Sequence, residues 1–169
     1  MIAKEIYFAG GCFWGTEHFF KLIDGVTATE VGYANGTVEA PSYKQVKTGD
    51  TGHAETVHVS YDQARITLRF LLDMYFKAID PTLLNRQGED EGTQYRTGIY
   101  YTDPADRPVI EARLAEEAEA YSSPIVTEIA PLSCFYRAEE YHQDYLIKNP
   151  EGYCHIPTAL FEMARKAKP

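Results

Sequence analysis

The stretch KEIYFAGGCFWGTEHFF, residues 4–20, decides how the fold begins. KEIYFAG is a run of strand formers that stops at Gly10 and Gly11, and from Phe13 to about Ile23 apolar residues recur at helical spacing. Strand, tight turn, helix is the reading, with Cys12 at the helix start. There a sulfur faces amide N–H groups that lack intrahelical partners, at the positive end of the helix dipole. An ordinary cysteine has a pKa of roughly 8.5, which helix N-termini bring toward about 7. Cys12 therefore reads as a thiolate-prone nucleophile, and on spacing alone equally as a small buried hydrophobe. The two glycines favour the first reading, because they let a ligand approach the backbone. Phe13 and Trp14 read either as core aromatics or as walls beside the sulfur, suited to an apolar group such as a methyl thioether.

Working outward, strands and helices alternate. VTATEVGYA (26–34) and AETVHVSYD (54–62) read as strands, separated by the loop ANGTVEAPSYKQVKTGDTG (34–52). ITLRFLLDMYFKAI (66–79) has the 3.6 period of a helix and stops before Asp80 and Pro81. A second irregular stretch, 80–95, leads into the strand RTGIYY (96–101). A helix from about Pro104 to Tyr121 carries a solvated acidic face, PIVTEIAPL (124–132) is a further strand, and AEEYHQDYLIKN (138–149) is a short helix ended by Pro150. The tail from 151 has a hinge before Cys154 and a last helix after Pro157. Long loops in a compact domain usually carry function. A mixed sheet with helices packed on it is the expected architecture.

The chain has 169 residues, the size of one domain, with 44% hydrophobic and 24% charged residues and 13 tyrosines. Its formal net charge is -9 with no basic run, which would repel a phosphate backbone and excludes nucleic acid as an expected partner. Lys4 and Glu5 interrupt the apolar start, and no run is long enough to span a bilayer, so the expectation is a soluble, cytoplasmic protein with no membrane partner. Cys12, Cys134 and Cys154 are odd in number and widely spaced, which argues against a disulfide scaffold or a zinc site.

Strand alternation puts His53, Glu55, Val57 and Val59 on one face and His58 on the other. Glu55 thus shares a face with valines, where desolvation raises a carboxyl pKa and leaves it protonated as a general acid; an exposed strand end would leave it in water instead. A metal site of His53, Glu55 and His58 is disfavoured by the same alternation. A Cys-His hydrolase remains open, with His53, His58, His142 and His155 as candidate bases.

The pieces GGCFWGTE (10–17), GYANG (32–36), PSYKQVKTGDTGHAETVHVSYD (41–62), DPTLLNRQGEDEGTQYR (80–96), AEEYHQDY (138–145) and NPEGYC (149–154) together closely resemble the A-type peptide methionine sulfoxide reductases, in the family's order. The resemblance implies an α+β fold: a two-layer α/β sandwich with a ferredoxin-like mixed sheet and a long irregular C-terminal tail. It implies reduction of methionine S-sulfoxide, free or in proteins, with Cys12 as nucleophile passing through a sulfenic acid and Glu55 as proton donor. Tyr43 and Tyr95 would hold the oxygen, with Asp90 bonding around the same site, while Phe13 and Trp14 receive the methyl group. Cys154 would resolve the sulfenic acid as a disulfide with Cys12, and thioredoxin would reduce it; no cofactor and no metal are implied. The expected unit is one catalytic domain, 1–169, a monomer whose segment 148–169 is a mobile tail. Asn35 stands where the family usually has glycine and Thr97 where serine is common, neither at the chemistry. Cys134 matches no family role and is expected to be inert beneath the sheet. The rivals are the hydrolase and a non-catalytic binding module for oxidised peptides.

Overall fold

A computed structural model describes residues 3–169 of the chain. Met1 and Ile2, included in the reading of the chain's start and in the 1–169 boundary, lie outside the described residues. Among the described residues eight strands and six helices follow one another in this order: β1 (Ala3–Gly10), α1 (Phe13–Lys21), β2 (Val26–Ala34), α2 (Tyr43–Lys47), β3 (Ala54–Asp62), α3 (Leu68–Ala78), β4 (Arg86–Gln87), β5 (Asp90–Glu91), β6 (Thr97–Tyr101), α4 (Asp106–Ala118), β7 (Glu128–Pro131), β8 (Phe135–Arg137), α5 (Tyr145–Lys148) and α6 (Thr158–Lys166).

The main sheet has the order β7-β6-β1-β3-β2-β8. All its pairings are antiparallel except β6 with β7. Its central run β6-β1-β3-β2, with α1 linking β1 to β2 and α3 following β3, is the ferredoxin-like core. One face of the sheet presents Ile6, Phe8, Val31, Val57, Val59 and Ile99 to the helices, where Phe19, Phe20, Leu71, Leu72 and Ile110 complete a core that reaches Phe161 and Ala164 of α6. Burying a side chain of this size stabilises by about 1.5–3 kcal/mol. The opposite face is a smaller cluster of Tyr7, Ala9, Ala34, Ala54 and Tyr100, with Leu132 and Phe135 laid against it.

Three local features escaped the hydrophobic pattern. The 34–52 loop contains α2, whose Ser42 side chain accepts from the Gln45 N–H while the Gln45 side chain accepts from the Ser42 N–H, a closed capping box. The 80–95 stretch holds the two-residue hairpin β4-β5. Strand β8 is too short for periodicity to register and pairs with β2 at Gly32–Ala34. The end of the chain is irregular before α6 and again from Ala167 onward, and α6 between them docks on the core. No helix of the described residues is long and apolar enough to cross a membrane.

Candidate active site

Between β1 and α1 the chain turns through Gly11, whose φ of +87° suits glycine, and Cys12 becomes the N-cap residue of α1. Strand β3 lies beside β1 in the sheet and carries Glu55 beneath this corner, where a carboxylate oxygen accepts the Phe13 N–H at 3.2 Å. Glu55 is 2% exposed. Burial pushes its carboxyl up to about 8; the Phe13 N–H opposes this and the Asp90 charge adds to it. The desolvated reading of Glu55 is therefore the one the geometry fits, and the exposed strand end is not found.

The expectation of a thiolate at Cys12 is corrected. Cys12 is buried, and burial raises its thiol pKa well above the ordinary value, with the Glu55 charge next in effect. The Trp14 N–H at the helix start lowers it, as a helix N-terminus should, but is outweighed; Asp90 and Cys154 push further up. A helix end stabilises a thiolate only while the sulfur keeps some water or a cationic neighbour.

Tyr43 opens α2, and Tyr95 closes the short turn after β5. Burial raises both phenols, Tyr43 to about 12, and for each the Glu55 charge is the next cause, followed by Cys12, Tyr141 and Asp90 for Tyr43 and by Tyr43, Asp90 and Cys12 for Tyr95. Cys12, Glu55, Tyr43, Asp90 and Tyr95 therefore lie close enough to act electrostatically on one another. Asp90 also accepts the Tyr153 hydroxyl at 2.9 Å, which ties the C-terminal segment across the site.

Phe13 is 1% exposed and packs within the core against Tyr33 and His142. Trp14 is half-buried, stacks on Tyr145 with ring centroids 3.7 Å apart, and donates from Nε1 to His142 Nδ1 at 2.9 Å. Cys154 lies over the first turn of α1, where a Cβ on Gly15 would come 2.8 Å from its sulfur. All three cysteines are free thiols. Cys134 is half-buried rather than sealed beneath the sheet, with its thiol 3.8 Å from the Gly36 carbonyl.

Residues the sequence reading did not single out hold the site together. Glu139 accepts from the Tyr33 hydroxyl and from the Tyr43 N–H, fixing α2 to β2. The Gln143 amide bonds both the N–H and the carbonyl of Val31, as a neighbouring strand would. Their signal was the motif AEEYHQDY, a polar run whose targets in space no spacing discloses. His53, by contrast, is structural: its ring nitrogens meet the Gly36 N–H and the Val38 carbonyl. His58 stacks on Tyr7. No histidine hydrogen-bonds the Cys12 sulfur among the described residues, which removes the geometry a Cys-His hydrolase needs. No group of three or more His, Cys, Asp or Glu residues fit to hold a metal ion occurs among the described residues.

A ferredoxin-like sheet that seats a thiol over a buried carboxylic acid, with no imidazole on the sulfur, defines a cysteine-dependent oxidoreductase. The family model for peptide methionine sulfoxide reductase matches residues 4–168. The peptide methionine sulfoxide reductase MsrA of Clostridium acetobutylicum is 59% identical over 159 residues, 94% of this chain and 98% of that protein. Mxr1 of Saccharomyces cerevisiae in its reduced form superposes with a TM-score of 0.87 at 46% identity, covering 92% of this chain and 90% of that one. A structure of Mxr1 in complex with Trx2 gives a TM-score of 0.61 at 31% identity, covering 85% of this chain and 84% of that one. The chain belongs to the peptide methionine sulfoxide reductase family.

Proposed function

We propose that the protein reduces methionine S-sulfoxide, free or within oxidised proteins, to methionine. The observation that carries this reading is the carboxyl of Glu55, buried and bonded to the amide that follows Cys12, where desolvation lifts its pKa to about 8 and favours the protonated form at neutral pH. In the first step the Cys12 sulfur attacks the sulfoxide sulfur while Glu55 delivers its proton to the sulfoxide oxygen, and the thiol proton of Cys12 replaces it on the carboxyl. Oxygen then passes to Cys12 and methionine leaves, so that one sulfur is oxidised to a sulfenic acid and the other reduced. Tyr43 and Tyr95 hold the oxygen through their hydroxyls, where charge develops. Asp90 hydrogen-bonds around the same site, where it accepts the Tyr153 hydroxyl, and Phe13 and Trp14 receive the methyl group.

Cys154 then attacks the sulfenic sulfur, water leaves, and a Cys12–Cys154 disulfide remains. Thioredoxin reduces it by thiol–disulfide exchange, a partner supported by the Mxr1 complex with Trx2. The working unit is a single monomeric domain, 1–169, in which 148–169 moves as a tail. One continuous core from Ile6 to Ala164 supports the single domain. Three free thiols fit a reducing compartment such as the cytoplasm.

A single-turnover assay tests the reading: fully reduced protein, methionine S-sulfoxide, no added reductant, with methionine and free thiols counted per chain. About one methionine and two thiols lost is the expected result. Cys12→Ser should give none, and Cys154→Ser one methionine followed by a stall. Sustained turnover by Cys154→Ser with thioredoxin as sole reductant contradicts the relay.

A further inference from the structure

His155 follows the resolving cysteine and takes no part in the steps above. Its ring fills a slot left open by glycines: a Cβ on Gly11 would come 3.0 Å from Nε2, one on Gly88 3.3 Å from the His155 Cβ, and one on Gly15 3.5 Å from Nδ1. Nε2 lies 3.0 Å from the Gly10 carbonyl oxygen, which can only accept. The proton therefore sits on Nε2, and Nδ1 carries a free lone pair. That Nδ1 is shut off from solvent and has no hydrogen-bond partner among the described residues. The position of a Gly15 Cβ is 2.8 Å from the Cys154 sulfur and 3.5 Å from His155 Nδ1, so thiol and base flank one point over the first turn of α1.

Resting on the function proposed above, we infer that His155 Nδ1 is the proton acceptor for the resolving thiol. As the Cys154 sulfur attacks the Cys12 sulfenic acid, its S–H turns from the Ile156 carbonyl, to which it donates at 3.4 Å in the resting structure, and passes its proton to Nδ1. The sulfur electron pair forms the S–S bond, the S–O bond breaks toward oxygen, and the departing hydroxide takes the proton from the imidazolium as water. Cys154 is thereby oxidised and Cys12 reduced, with no other reactant.

The surroundings agree. Burial raises the Cys154 thiol, so without a base its thiolate is scarce at neutral pH. Burial also lowers the His155 pKa, against the Gly10 bond and the Asp90 charge, and keeps the ring neutral and able to accept. The titratable groups facing the ring are Asp90 from β5, whose charge acts on it, and Cys154 from its own segment, across the Gly15 position. Asp90 is a poorer acceptor because the Tyr153 hydroxyl already occupies one of its oxygens.

The test uses full-length protein in rapid-quench single turnovers from pH 6 to 9, following methionine, thiol loss and dimedone-trapped sulfenic acid. His155→Gln keeps an N–H for the Gly10 carbonyl and removes the base. It is expected to release methionine and then accumulate Cys12 sulfenic acid, with disulfide closure slowed by about 10²-fold. Closure should then climb roughly tenfold per pH unit with the thiolate fraction, where wild type is flatter, and added imidazole should restore it in His155→Ala. Closure by His155→Gln within twofold of wild type at every pH overturns the inference. So does slowed closure with an unchanged pH profile and no imidazole rescue, which marks a merely structural ring, or loss of methionine release in both variants. If wild type itself releases no methionine, the reductase reading fails first and takes this one with it.

Discussion

At the scale of single residues the site is governed by desolvation. Glu55 was legible in part, because strand alternation places it with Val57 and Val59, but alternation does not say that both faces of β3 are covered there. The folded carboxyl keeps its proton to about pH 8, whereas the unshifted value is 4.5. The native state therefore binds the extra proton across that window, and stability falls as pH rises through it. Glu55→Gln removes this loss: its melting temperature is expected to exceed wild type by about 10 °C at pH 8 and to match it closely at pH 4.5. Activity should move the other way. Wild-type turnover falls as pH climbs past about 8 and the acid form is lost. Glu55→Gln retains some first-step rate because the amide still donates a hydrogen bond, while Glu55→Ala falls much further. Equal losses in the two variants, measured as methionine burst rates, would remove the proton donor from the scheme. Cys12 shows the limit of reading one residue against one element, since the helix end is present and burial outweighs it.

Among the elements, α1 carries most of the consequence. Its N-cap is Cys12, its second residue Trp14 is braced by His142 and Tyr145, and its third is a glycine. Gly15 is there for space. Alanine in a helix is better than glycine by about 0.5–1 kcal/mol, yet its methyl would meet the Cys154 sulfur at 2.8 Å. Gly15→Ala is accordingly expected to fold at least as stably as wild type and to yield its first methionine. Its second thiol should disappear more slowly, by tenfold or more. A normal rate of thiol loss would show that Cys154 closes from elsewhere. Helix α2 was missed within a loop because five residues are too few for a period to emerge, although its capping pair Ser42 and Gln45 stands in plain sequence. It matters because Tyr43 is its first residue and Glu139, remote in the chain, fixes it.

Across the whole molecule, the C-terminal segment is held to the rest by Tyr153 on Asp90, by His155 on Gly10, and by the core packing of Ile156, Phe161 and Ala164, in which Phe161 also meets His18 of α1. Phe161→Ala weakens the last of these, a truncation that costs about 3 kcal/mol at a fully buried site. If 148–169 moves as a unit, hydrogen exchange should quicken across 150–166 while β1, β3 and α3 stay protected, and disulfide closure should slow. Uniform loss of protection together with a large fall in melting temperature would instead make α6 part of the core's cooperative unit. By itself the sequence determined the main elements from their periods, a mixed sheet with helices, the thiol at the first corner, and the motifs whose family resemblance implied a ferredoxin-like core. Those properties are written in local spacing and in contiguous motifs. Tertiary structure alone decided that both faces at Glu55 are dry, that the Cys12 thiol is raised rather than lowered, that Glu139 and Gln143 brace β2, and that His155 has a bare nitrogen beside Cys154. Each of these depends on what residues distant in the chain cover, and burial is a property of neighbours in space.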